Sequence, residues 1–177
     1  MGVIVFPYRI ILGRCFNDLN PILQRFHGEQ ASQSAHGFLK VTRGTGLLAR
    51  ILAFVMRLPE ATHAVPVQLT VVRSSRHEAW TRVFGDRPLV SRQAVRGGDL
   101  CESIGRSSFL FDVQVVDGAL QMTSYAFLLF GRPTGRWLAP QVTASECAAD
   151  GGWDVAVDLR MPGVGRILQY SGHMVLQ

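Results

Sequence analysis

Lysine is nearly missing from this chain: of its 18 basic side chains only Lys40 is a lysine, and the rest are arginines. Cysteine is sparse too. Cys15, Cys101 and Cys147 lie far apart with no CxxC pair, which excludes a disulfide framework and a cysteine-based zinc site. No stretch reaches the roughly 18 uninterrupted apolar residues of a membrane-spanning helix. The apolar opening MGVIVFPYRIILGR lacks the basic start and small-residue cleavage site of a secretory leader. Phe6 stands where a myristoylation signal needs Ser or Thr. The expected location is therefore the cytoplasm. Catalytic signatures are also missing: there is no GxSxG, HExxH or HxE…CxxC. The histidines, His27, His36, His63, His77 and His173, show no ligand spacing, and most are expected to be solvated at loops or element ends. His173, in the last strand, is the one of interest. Lys40 is the sole candidate for Schiff-base chemistry. The balance points away from an enzyme and implies no metal and no cofactor.

What is present is an ordinary core-forming composition. At 177 residues and 47% hydrophobic content, the expectation is a single domain over 1–177 with one sizeable core. The net charge is +5, but the arginines are spread from Arg9 to Arg166 with no basic run. No nucleic-acid-binding signature accompanies them, so they read as solvated faces rather than a nucleic-acid surface.

Residues 1–36 read as a partly helical extension packed on a sheet. Asn20-Pro21 is a helix start, with Asn as cap and Pro in the first turn, and the helix runs to Gly28. The polar stretch 28–36 reads as a loop, and His36 to Thr42 as a strand. A helix follows at 46–58, closed by Pro59. On its wheel Arg50 and Arg57 share a narrow face beside Ala49 and Ala53, and Leu47, Leu48, Ile51, Leu52, Phe54, Val55 and Leu58 fill a wide apolar arc. Such an arc is expected to pack on a sheet; the alternative is peripheral contact with a membrane surface. From Val65 onward the period is two, with strands expected at 65–73, 78–84, 88–95, 99–104, 108–116, 119–130, 141–148, 153–161 and 166–176, several joined by hairpin dipeptides.

Within 39–57, Gly44-Thr45-Gly46 and Ala49 match a glycine-rich nucleotide fingerprint that follows a strand and opens a helix. A dinucleotide loop also needs further parallel strands and an acidic residue about 20 positions on. VPVQLTVVR (65–73) offers none, so the stretch reads as a plain strand-to-helix turn.

Two hairpins define faces. Across Asp117-Gly118, Val115 faces Leu120, Val113 faces Met122, Phe111 faces Ser124 and Phe109 faces Ala126, an apolar side. Gln114 with Gln121 and Asp112 with Thr123 form the solvated side. In 78–93, a two-residue turn near Gly85-Asp86-Arg87 puts Trp80, Arg82 and Phe84 on one face with Leu89, Ser91 and Gln93, whichever of the two turn choices forms. An arginine thus stands between two aromatics on a core face. A turn at Asp150-Gly151 places Glu146 with Trp153, whereas a three-residue turn would place Cys147 there. A buried arginine needs a partner, and Glu102 and Glu146 are the two on offer. Either that pair merely fixes the register, or Arg82 with Ser91 and Gln93 orients a ligand in an internal cavity. The candidate binding residues are Trp80, Arg82, Phe84, Ser91, Gln93, Glu102, Glu146 and Trp153, with no catalytic or metal residue among them.

The pieces GLLARIL (46–52) followed by LP (58–59), EAWTRVFG (78–85) with Ser91, FGRPTGRWLAP (130–140), Glu146 and MPGVGRILQYSG (161–172) together resemble a bacterial domain-of-unknown-function family, number 4166. The resemblance runs from LNPILQRFHG (19–28) to the carboxy terminus. Members of that family tend to repeat an apolar-proline pattern where this chain has Pro133-Thr134-Gly135-Arg136, and carry Arg where Ser171 stands. Similar domains occur fused behind NAD(P)-binding reductase-like domains, which implies a reductase-like protein partner.

The expected fold is mainly β (α+β): an antiparallel β-meander forming a lipocalin-like barrel or half-barrel, covered by an N-terminal helix and the helix at about 46–58. A helix-grip (START-like) fold is the alternative. The expected function is a non-catalytic module for a small lipophilic or carboxylate-bearing ligand; the alternatives are an accessory domain docking on a reductase-like partner, and membrane contact through the 46–58 helix.

Overall fold

The computed structural model describes residues 4–28, 30–56 and 58–177. The chain opens with helix α1 (Pro7–Leu12), a 3-10 turn (Gly13–Asp18) and helix α2 (Pro21–Gly28). Strand β1 (Ser32–Arg43) leads to helix α3 (Leu47–Val55). A meander follows: β2 (Thr62–Arg73), β3 (Glu78–Phe84), β4 (Arg87–Arg96), β5 (Asp99–Ile104), β6 (Ser107–Val116) and β7 (Ala119–Leu129). The two-residue β8 (Arg132–Pro133) is followed by β9 (Gln141–Ala149), β10 (Gly152–Met161) and β11 (Gly165–Leu176).

Every long strand pairs antiparallel with its sequence neighbours; β7 pairs directly with β9, and β11 returns to β1. β8 merely extends the edge of β7. Ten long strands thus close on themselves, and an even number is what lets the last strand of a meander meet the first antiparallel. Closure leaves no long unpaired edge. The barrel is closed rather than half-open, and the helix-grip alternative does not form.

Because the turns of a meander alternate between ends, the barrel has two distinct ends. One carries the β2–β3, β4–β5, β6–β7 and β9–β10 turns and is plugged by residues 7–28. Tyr8, Phe16, Leu19, Leu23 and Phe26 of the plug are all buried. Asn20 caps α2, its Oδ1 accepting from the Ile22 amide at 3.2 Å, while its own amide donates to the Gly118 carbonyl at 2.9 Å. The cap residue therefore also pins the plug to the β6–β7 turn. That turn is Asp117-Gly118, with φ of 50° and 79°, the two left-handed residues a tight hairpin requires.

Several expectations shift. α1 and the 3-10 turn carry no sequence periodicity and come in addition to the expected helix at Asn20-Pro21. β1 begins at Ser32 rather than His36, because Gln33 and Ala35 alternate inward from a polar stretch. In the β6–β7 hairpin the predicted pairs hold from Val115/Leu120 to Phe111/Ser124. A bulge at Tyr125 then puts Leu110 opposite Ala126 and Phe109 opposite Phe127. The extra residue keeps both phenylalanines inside, their rings 4.9 Å apart, where strict pairing would have turned Phe127 outward.

The largest correction concerns α3. It is the small side chains Ala49 (1% exposed) and Ala53 (0%) that meet the barrel, while Leu47 (74%), Phe54 (81%) and Val55 (69%) face outward. Gly44 is the reason. It is drawn against β11, its amide donating to the Ile167 carbonyl at 3.1 Å, and a Cβ there would strike the Arg166 carbonyl and crowd Ala49. So close an approach leaves room only for methyl groups between helix and sheet. Arg57, the second arginine of the predicted stripe, lies outside the described residues. The GTG stretch is thus a strand-to-helix turn whose first glycine serves packing. Gly44→Ala should lower stability by about 1–3 kcal/mol through overpacking against backbone, read from the urea midpoint at unchanged slope.

Candidate functional site

Strand periodicity sends alternate residues inward, and the register lines up an internal polar row. Arg73 stands opposite Glu78, Glu78 opposite Gln93, and Gln93 opposite Glu102. The row has a structural half and an open half. In the first, Arg73 Nε donates to Glu78 at 2.7 Å with both side chains fully buried. The Arg73 Nη groups donate to the Gln30 and Phe26 carbonyls at 2.8 and 2.7 Å, tying the plug to β2. The second Glu78 oxygen accepts from Trp80 Nε1 at 3.0 Å. In this way the charged pair is surrounded by hydrogen bonds, as a buried pair must be.

The other half faces a cavity of about 540 Å³ inside the barrel. Tyr8 of the plug lines its floor. The opposite end of its lining is formed by Val55 of α3, by Met56 just after it, and by Gly105 and Arg106 of the β5–β6 turn, so the cavity opens there. Its walls are mostly apolar and aromatic. Tyr8 donates to Gln93 Oε1 at 2.9 Å. Arg82 Nη1 donates to Ser91 Oγ at 3.0 Å and lies 3.5 Å from Glu102 Oε1, and Ser91 in turn donates to Glu102 at 2.6 Å. The Arg82 guanidinium lies over the Trp80 ring at 4.8 Å, and its other N–H groups make no hydrogen bond among the described residues. Across the cavity, Glu146 accepts from His27 Nε2 at 2.7 Å. His27 Nδ1 is buried with no partner among the described residues.

The electrostatics favour a charged arginine among neutral phenols. Burial works against the Arg82 charge, but Tyr170, Glu102, Tyr8 and Glu146 outweigh it and hold its pKa above the usual guanidinium value. Burial, reinforced by Glu146, Glu78 and Glu102 and opposed by Arg82, pushes Tyr8 well above the ordinary phenol range. Tyr170 is likewise raised by burial, with Arg82 opposing. Both phenols therefore keep their protons as donors. The cavity thus pairs two carboxylates with Arg82 and His27 and leaves N–H and O–H donors turned inward.

Of the candidate residues, Trp80, Arg82, Phe84, Gln93, Glu102, Glu146 and Trp153 all line the cavity. Ser91 lies buried behind it, bridging Arg82 to Glu102. Between the two possible partners of Arg82, the contact is with Glu102; Glu146 takes His27. The β9–β10 turn has two residues, so Cys147 stays outside and exposed. The histidine to watch is also different. His173 is partly exposed and pairs with Asp154 at 2.9 Å, whereas His27, expected to be solvated, is fully buried. Lys40 is exposed on β1. Sequence reasoning missed Tyr8, His27 and Tyr170. Tyr170 was recoverable, since it alternates with Leu168; the first two lie on helices whose placement no local pattern gives.

The family is settled by residues 19–174, which match the domain of unknown function family DUF4166. The chain belongs to that family. The match spans α2, the barrel ring as far as Met174 in β11, and every cavity-lining residue except Tyr8. No curated protein matches the chain.

Proposed function

We propose that this DUF4166 domain binds a small lipophilic molecule with an acceptor headgroup, a carboxylate or carbonyl, inside the barrel. The supporting observation is the mostly apolar cavity with Arg82 aimed into it, held in place by Ser91 and Glu102 yet with donors to spare. About 300–1,000 Å³ is the usual size of small-molecule sites, and the 540 Å³ cavity falls in that range. The two sides of the notion of a structural ion pair and a ligand anchor are then one device. Glu102 fixes the guanidinium by one edge, and the ligand takes the other. No step of bond making is assigned to the site.

A dibrominated stearate tests this reading, because bromine quenches tryptophan on contact and both Trp80 and Trp153 line the cavity. In a Trp137→Phe background, saturable quenching at one molecule per chain is expected. Arg82→Ala should weaken binding about tenfold to a hundredfold, the usual loss of a charge-assisted hydrogen bond, while affinity for the corresponding brominated alcohol changes far less. Equal affinity of wild type and Arg82→Ala for the stearate would overturn the anchoring role. Absence of quenching by both probes would remove the binding cavity itself.

A further inference from the structure

We propose that the rim of the barrel's open end docks on an anionic lipid bilayer, a step that rests on the cavity being a lipophilic-ligand site, and that the ligand enters and leaves there. Two separate apolar groups stand at this rim. On α3, Leu47, Leu48, Ile51, Phe54 and Val55 are exposed, Phe54 by 81%. The β7–β9 connection reaches the same end of the barrel, since the turns alternate, and it exposes Phe130, Trp137 (78%) and Leu138. Counting round the ring, β7 stands six strands from β1 one way and four the other, so the two groups stand at separate places around the opening. Large apolar surface left in water at two places around one opening calls for a partner.

Charge decides which partner. Arg50 lies among the exposed residues of α3, Arg106 sits on the β5–β6 turn, and Arg132 and Arg136 lie between the exposed Phe130 and Trp137. All four are exposed, and none makes an ion pair among the described residues. The guanidinium of Arg106 lies 5.3 Å from the Phe130 ring and that of Arg136 6.0 Å from Trp137. The acids at this end are mostly spent: Glu60 is paired with Arg87, and Asp158 with Arg160 and Arg166, which leaves Asp86. Acids at the plugged end include Asp99 at the start of β5 and Asp117 and Asp150 in turns. The unpaired charge of the rim is therefore positive. A shallow groove beside α3 sets Arg43 and Arg50 next to Leu47, Ile51 and Phe54, guanidinium against apolar surface at one level.

A bilayer meets both requirements at once. Its acyl boundary receives Leu47, Phe54 and Trp137 while anionic headgroups meet the arginines, which is how tryptophan and arginine sit at membrane interfaces. A lipid surface also places a lipophilic cargo at the opening, so it need not cross water. No described helix is long and apolar enough to cross a membrane, so α3 lies on the surface.

Flotation with vesicles tests this. The wild type should float with vesicles of equal parts phosphatidylcholine and phosphatidylglycerol and much less with phosphatidylcholine alone. Phe54→Asp combined with Trp137→Asp should weaken binding at least about tenfold, and Arg50→Glu by roughly tenfold at low salt. Both replace exposed side chains, so an unchanged melting transition confirms an intact fold. Arg82→Ala should float like the wild type, which separates loss of cargo binding from loss of docking. The proposal is overturned by a wild type that floats with neither vesicle, or by rim substitutions that leave flotation unchanged. It is also overturned if the rim instead joins two copies of the chain, seen as a dimer that the rim substitutions dissociate without any vesicle binding.

Discussion

Glu78→Ala is expected to destabilise the barrel by about 3–5 kcal/mol, the cost of breaking one side of a buried ion pair. That is a large share of the roughly 5–15 kcal/mol that a domain possesses. The reason is specific. Among the described residues Glu78 is the only acid bonded to the fully buried Arg73, and its other oxygen is the acceptor for Trp80 Nε1. Its removal leaves a guanidinium without a counter-charge and an indole donor without a partner in a place water cannot reach. The Phe26 and Gln30 carbonyls still receive Arg73, but neither carries a charge. Glu78→Gln retains an acceptor for Trp80 and should cost less. Arg73→Met with Glu78→Leu together should recover much of the loss, since a buried pair is often no better than apolar side chains of similar volume. Urea titration of the four proteins checks the order; a Glu78→Ala midpoint close to wild type would mean the pair is not buried as described.

Phe26→Ala should cost a similar amount, about 3–5 kcal/mol. Phe26 is the centre of the plug: fully buried, its ring 4.7 Å from Trp153, 4.8 Å from His27 and 5.6 Å from Trp80. Those rings come from α2, β3 and β10, so one side chain joins the plug to both walls of the barrel. Its truncation leaves a hole that aromatic neighbours on closed strands cannot collapse to fill. Phe26→Leu should cost distinctly less because it keeps most of the volume. Thermal unfolding distinguishes the two, and a Phe26→Ala loss below about 1 kcal/mol would show that the plug contributes little to holding the barrel.

The barrel was legible because its signals are local. Period-two alternation and turns such as Asp117-Gly118 and Asp150-Gly151 give strands, faces and register together, and from them the inward Arg82 with Ser91, Gln93 and Glu102. Glu78 was legible by the same rule, since it shares parity with Trp80 and Arg82, and Arg73 shares parity with Val71 and Leu69. What stayed hidden was set by contacts distant along the chain. The bulge at Tyr125 leaves no turn residue to mark it. Tyr8 reaches the cavity, and His27 reaches the lining residue Glu146, only because residues 7–28 fold over one end of the ring, a placement no alternation encodes. The orientation of α3 was misread for a related reason. A hydrophobic arc predicts which face should be buried if something covers it, but the close approach at Gly44 decided in favour of the alanines. The arc was left as the exposed rim of the opening.

The central claim is that the barrel encloses a binding site for a lipophilic molecule anchored at Arg82. Native mass spectrometry of the protein purified from its own host tests it most directly. The account predicts one bound lipophilic molecule per chain, released on denaturation and missing from Arg82→Ala protein of unchanged fold. A bare chain mass, with no uptake when lipophilic acids are added and the cavity collapsed or filled by side chains, would contradict it.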